Sequence, residues 1–140
     1  MAFQHINFED GQLIALPMYN GGSTASYTVG QALAISGGYY TTAAVSQNTD
    51  VEAVCMEAGT VTTSGTLLKC VSTRGIRFLA DTVANPAATC QGTYVDISST
   101  DANKLDTTAS TDDLFYVEKI AGPLANKKVQ CFFCHGTTLA

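Results

Sequence analysis

The sequence predicts an all-β protein, a small antiparallel β-barrel or sandwich of about eight short strands with an extended N-terminal arm. Three observations carry that expectation. Apolar and polar residues alternate in short runs, Gly-, Ser- and Thr-rich clusters separate the runs, and no helix-length amphipathic stretch interrupts them. Successive strand residues face opposite sides, so each run offers one face to a core. Evenly spaced short strands with turn signals close into a barrel or stack as a sandwich.

Residues 1–26 read as arm and hinge, and residues 27–140 as the β-domain. The arm carries Phe3, Ile6, Phe8, Leu13, Ile14, Leu16 and Met18 as its apolar contacts. The joint that follows, Asn20-Gly21-Gly22-Ser23-Thr24-Ala25-Ser26, is rich in small residues that set no fixed backbone geometry. The alternative is a first strand of the same barrel followed by a loop. In the body, period-2 segments fall at Gln31–Ser36, Tyr39–Ala44, Val51–Ala58, Thr66–Val71, Gly75–Leu79, Gly92–Ser98, Leu114–Ile120 and Lys127–Phe133. Leu33 and Ile35 face inward, and Gly30 suits a bulge. Val51, Ala53 and Cys55 share one face while Val54 and Met56 share the other, so this strand is expected to be buried on both sides. Ile76 and Phe78 place Arg77 outward. Val95 and Ile97 do the same for Tyr94 and Asp96. Phe115 and Val117 alternate with Tyr116 and Glu118, and Val129, Cys131 and Phe133 alternate with Gln130 and Phe132. Pro86 limits the Ala-rich 80–90 region to a short helical turn, and residues 98–113 read as a long hairpin or exposed loop.

Charge narrows the function. Charged residues make up 14% of the chain, below the roughly 25% of typical domains. All seven basic residues lie beyond residue 68, whereas the first 68 residues hold five acids and no base, so the formal charge of −5 belongs to the first half. Nucleic-acid binding needs a basic footprint to neutralise phosphates, and there is none. No apolar run approaches the roughly 20 residues of a membrane span. The start, Met-Ala-Phe-Gln-His, lacks a basic and apolar leader, so folding in a reducing cytoplasm is expected. The five cysteines are then free thiols acting as small hydrophobes.

Chemistry-bearing motifs are few. Cys131-Phe132-Phe133-Cys134-His135 has the C-x-x-C-H pattern of covalent haem attachment. It continues an apparent strand, on which residues three apart point to opposite faces. Zinc is another reading, with Cys131, Cys134 and His135 as three ligands and Cys55, Cys70 or Cys90 as the fourth, although a second paired knuckle is missing. Buried thiols near a strand end are the simpler expectation. Asp101-Ala102-Asn103-Lys104-Leu105-Asp106 opens like a calcium loop but lacks the central Gly and the terminal Glu, so a turn is expected. Asp112-Asp113 reads as a hydrated loop end. With only His5 and His135 as imidazole bases, and no nucleophile elbow, phosphate loop or HExxH stretch, an enzyme is not expected, and no cofactor is.

The chain resembles the small capsid decoration (cement) proteins of tailed double-stranded DNA bacteriophages from about Tyr27 to Phe133. The resemblance rests on Val29-Gly30-Gln31-Ala32-Leu33, on Ser36-Gly37-Gly38-Tyr39, and on Val51–Met56 leading into Thr60-Val61-Thr62-Thr63-Ser64-Gly65-Thr66. Gly92-Thr93-Tyr94-Val95-Asp96-Ile97, Phe115-Tyr116-Val117 and Lys128-Val129-Gln130-Cys131-Phe132-Phe133 complete it. It implies a virion structural protein on the capsid exterior, made in the host cytoplasm, that bridges major capsid protein subunits. It also implies a homotrimer whose terminal arm engages neighbours. The alternatives are another virion β-module of a tail or fibre, and a c-type haem electron carrier using Cys131, Cys134 and His135.

Overall fold

A computed structural model describes residues 3–8, 15–19, 25–61 and 67–135. The protein is all-β, with thirteen short strands among the described residues and two single-turn 3₁₀ segments, Ala88–Cys90 and Leu124–Asn126. The strands are β1 (Phe3–Phe8), β2 (Ala15–Tyr19), β3 (Ala25–Tyr27), β4 (Ala32–Ser36), β5 (Tyr39–Thr42), β6 (Ala53–Cys55) and β7 (Gly59–Val61). They continue with β8 (Leu67–Ser72), β9 (Ile76–Asp81), β10 (Tyr94–Ile97), β11 (Leu105–Asp106), β12 (Phe115–Ile120) and β13 (Lys128–Phe133). All eight expected segments overlap one of these strands, with the 51–58 segment contracted to Ala53–Cys55 and β8 and β9 running one or two residues past theirs. The additional strands are β1, β2, β3, β7 and β11, three of which have only two or three residues. Such short pieces contain too few residues to show a period.

The strands form three antiparallel sheets. A six-stranded sheet runs β1-β9-β13-β12-β10-β11 and curls into half a barrel. A five-stranded sheet runs β2-β8-β6-β4-β5, with β2 returning towards β5. The third sheet is the pair β3-β7. The hairpin between β4 and β5 turns through Gly37 and Gly38 at φ +59° and +84°. Two consecutive positive φ values are the two-residue turn that matches strand twist, and glycine adopts them without a Cβ penalty.

The main core lies between the six-stranded and five-stranded sheets. Phe3, Ile76, Phe78, Ala80, Val95, Ile97, Phe115, Val117, Val129, Cys131 and Phe133 face Ala32, Val54 and Val71 across it. Four phenylalanines form its centre. The Phe133 ring lies 4.7 Å from Phe115, 4.9 Å from Phe78 and 5.1 Å from Phe3, centroid to centroid. These separations, at tilted or edge-on angles, are the favoured geometry of aromatic pairs. On the other side of the five-stranded sheet, Leu33, Ala53, Cys55 and Cys70 form a second small core, covered by Tyr27 of β3 and Val61 of β7. The strand expected to be buried on both faces is so buried: Ala53 and Cys55 enter the small core while Val54 enters the large one. Val51 joins the large core because it precedes β6, where the strict alternation begins.

Three single-residue expectations are corrected here, at Asp96, Gly30 and Ile35, the last being exposed at the outer end of β4 rather than inward. The described parts of residues 1–19 are the strands β1 and β2. Strand β1 pairs with β9, β2 pairs with β8, and Phe3 is fully buried, because each sheet gains an outer strand and the core gains a ring. Leu13, Ile14 and residues 20–24 lie outside the described residues. Asp96, on the face opposite Val95 and Ile97, is buried rather than exposed because the following loop covers it. Arg77 is outward as expected, bonding Glu118 Oε1 at 3.0 Å and lying 4.9 Å above the Phe132 ring. Gly30 serves a turn rather than a bulge, at φ +89°, with its N–H donating to Cys55 O.

Candidate functional site

Four places in the fold gather polar or reactive groups. The first is the end of β13. Cys131 sits wholly inside the main core, opposite Phe78 and Val117 in the flanking strands, and burial pushes its thiol well above the ordinary value. Cys134 is only partly buried, and its thiol is pushed up to about 11 by burial, with Asp113 and Asp50 adding to the effect. His135 is held elsewhere, with Nε2 2.7 Å from Thr73 Oγ1. The Thr73 hydroxyl donates its proton to Val51 O at 2.7 Å, so the imidazole is the donor to Thr73 and carries its proton on Nε2. Among the described residues no three His, Cys, Asp or Glu side chains gather as a metal-ligand set. The C-x-x-C-H pattern is therefore divided between the core and a hydrogen bond, for the strand-alternation reason that its spacing implies.

Burial, and then the Arg74 charge, lower the His135 pKa below its ordinary 6.5. The folded state thus binds fewer protons here than the unfolded state, and stability is lost as pH falls through the interval below about 6.5. Between about pH 7.5 and about pH 5, the urea midpoint of the wild-type chain is expected to fall further than that of His135→Gln, which keeps a donor but no titrating group. Equal slopes would remove the assignment.

The second place is Asp96. Its carboxylate is 5% exposed and accepts three backbone N–H groups: Thr111 to Oδ2 at 2.7 Å, Asp112 to Oδ1 at 2.9 Å and Asp113 to Oδ1 at 2.7 Å. Asp113 stands at φ +53°, a left-handed conformation that Asp tolerates better than most residues and that aims its N–H inward. The Asp112-Asp113 pair is therefore a backbone cap on Asp96. Asp112 titrates above the ordinary carboxylate range because of partial desolvation and the neighbouring Asp96 and Asp113 charges. The calcium-like stretch has a similar structural use. Asp101 Oδ1 accepts the Asn103 N–H at 2.9 Å, and Asn103 Oδ1 accepts the Ala32 N–H at 2.9 Å, which ties the loop to β4.

The third is an open cleft of about 640 Å³ between the 83–94 region and the 106–110 loop, lined by Asn85, Thr93, Tyr94, Asp106 and Thr108 among others. Asp106 is its one charged group. Hydrogen bonds from the Thr108 hydroxyl and N–H hold that carboxyl below the ordinary value. No histidine or lysine lines the cleft, and its one carboxylate, Asp106, is engaged by Thr108.

The fourth lies in the small core, where Cys55 of β6 stands directly opposite Cys70 of β8. Both thiols are fully buried. Cys55 Sγ donates to Glu57 O at 2.9 Å, and the hydrogen bond between the two cysteines favours the thiolate at Cys55 and lowers its pKa against the effect of burial. The same bond, with burial, raises that of Cys70. Sequence reading placed these two cysteines among possible fourth zinc ligands but did not pair them. The pairing depends on strand register, which the alternation within one strand does not specify. The residues that the resemblance assigned to capsid contact are divided: Phe3 is a core residue, Ile6 and Phe8 lie on β1, and Leu16 and Met18 lie on β2.

Comparison with protein-family models, curated proteins and solved structures finds no match.

Proposed function

We propose that the chain is a non-enzymatic virion structural protein that binds the outer surface of a phage head and stabilises it by bridging major capsid protein subunits. The observation that carries the proposal is a run from residue 11 to residue 49 without any Asp, Glu, Lys or Arg. That run supplies β2, β3, β4 and β5, which include both outermost strands of the five-stranded sheet. Within it Ile35 is 49%, Tyr39 40% and Val45 48% exposed. Surfaces buried against another protein are depleted of charge and enriched in aromatic side chains at their centre. A surface meant for water alone is normally charged.

Strand placement supports the same reading. Strands β1 and β2 are each the outermost strand of a sheet, with one edge outside that sheet's hydrogen-bond ladder. A strand from a neighbour adds to such an edge through main-chain hydrogen bonds and with little sequence demand. A homotrimer would repeat the contact symmetrically around each capsid junction. The acidic net charge suits a position outside the shell, away from packaged DNA.

The test is co-sedimentation of the purified chain with expanded heads that lack it. Co-migration is expected for the full chain and its loss for a chain without residues 1–19. Because that deletion also removes the Phe3 ring from the core, full-length Phe3→Ala is the control that separates weakened packing from the missing strands. It should still bind. Failure of the full chain to co-migrate would overturn the proposal.

A further inference from the structure

The geometry points to Cys55 and Cys70 as an oxidisable dithiol, a modification site that a small disulfide of the glutathione class converts to an intramolecular cross-link between β6 and β8. The argument starts from register. Met56 N donates to Lys69 O at 2.9 Å, and Thr73 N donates to Glu52 O at 3.2 Å. These bonds mark Met56/Lys69 and Glu52/Thr73 as hydrogen-bonded pairs of the antiparallel ladder. Bonded and non-bonded pairs alternate, so Cys55/Cys70 is a non-hydrogen-bonded pair. The Cys55 N–H is accordingly turned the other way, to Gln31 O at 2.9 Å. At non-hydrogen-bonded positions opposing Cα atoms lie about 4.5 Å apart and side chains are closest. That separation falls within the roughly 4.4–6.8 Å range of disulfides.

The other cysteines are differently placed. Cys131 faces Phe78 and Val117, and Cys90 belongs to a 3₁₀ turn. Access requires the β3–β7 cover to lift, and among the described residues those two strands pair only with each other. The Cys55 thiolate attacks one sulfur of the disulfide, forming a mixed disulfide and releasing one thiolate, which takes a proton from water. Cys70, after losing its proton to solvent, attacks Cys55 Sγ. The mixed disulfide breaks and the second small thiol leaves. The two protein thiols lose two electrons in all, and the small disulfide is reduced to two thiols.

The experiment incubates the full chain with oxidised glutathione, alkylates under denaturing conditions and maps the peptides. The expected product has lost two hydrogens, with Cys55 and Cys70 recovered as one linked pair and Cys90, Cys131 and Cys134 alkylated. Closing a loop of about fifteen residues should raise the melting temperature by about 10 °C, and dithiothreitol should reverse the rise. Cys70→Ala is expected to retain a glutathione adduct on Cys55. The wild-type map decides the matter even if that variant does not fold. Cys55 and Cys70 both recovered alkylated, or a disulfide at another pair, would overturn the assignment.

Discussion

Phe133→Ala is expected to destabilise the fold by about 4 kcal/mol, the cost of removing a large aromatic side chain from a packed core. Phe133 is 5% exposed and its ring touches three others, those of Phe3, Phe78 and Phe115, which come from three different strands. Its loss leaves a cavity where β1, β9 and β12 meet, and the curled sheet limits how far they collapse into it. Against a total of about 5–15 kcal/mol for a domain, one substitution would remove a large share of stability. The melting temperature should fall by about 15 °C. The neighbouring Phe132→Ala is the comparison. Phe132 faces outward under the Arg77 guanidinium, so its removal should cost about 1 kcal/mol. Comparable losses for the two variants would contradict the inward assignment of Phe133.

The second large effect is at Asp96. Asp96→Ala orphans the N–H groups of Thr111, Asp112 and Asp113 within a nearly closed site, and each hydrogen bond to a charged acceptor contributes about 1.5–3 kcal/mol. Some of those donors will find water, so a net loss of about 3–5 kcal/mol is expected. Asp96→Asn keeps one acceptor oxygen and should fall between the two. Amide hydrogen exchange distinguishes this from general weakening. In Asp96→Ala the amides of 111–113 should exchange much faster than those of β13, whereas uniform acceleration would place the defect elsewhere.

How far the fold could be read from sequence depended on which face of a strand was buried. Where one face meets the core and the other meets water, as in Ile76–Asp81 and Lys128–Phe133, the alternation was legible and the core residues followed from it. Where a polar residue is buried because its partner is a distant backbone, the pattern misled. Asp96 looks like an outward residue between Val95 and Ile97, and only the loop fifteen residues later reveals its use. Leu105 of the apparently exposed 98–113 loop is likewise fully buried. For the sites, the Cys131–His135 pattern was visible but chemically divided, while the Cys55/Cys70 pair was invisible because register is a property of two strands at once.

The order of strands in the six-stranded sheet has a consequence for synthesis. Strand β13, the last described strand in sequence, lies between β9 and β12 and bonds to both. Until residues 128–133 have emerged from the ribosome, β9 and β12 each present an unpaired edge and the Phe3, Phe78 and Phe115 rings lack the fourth that joins them. Unpaired edges and uncovered rings of this sort are the kind of surface that chaperones engage. Long-range pairing of β1 with β9 adds to the delay, since closing distant contacts precedes any reward from packing. The six-stranded sheet is thus completed only by the strand that inserts between two others, and its assembly turns on that one insertion.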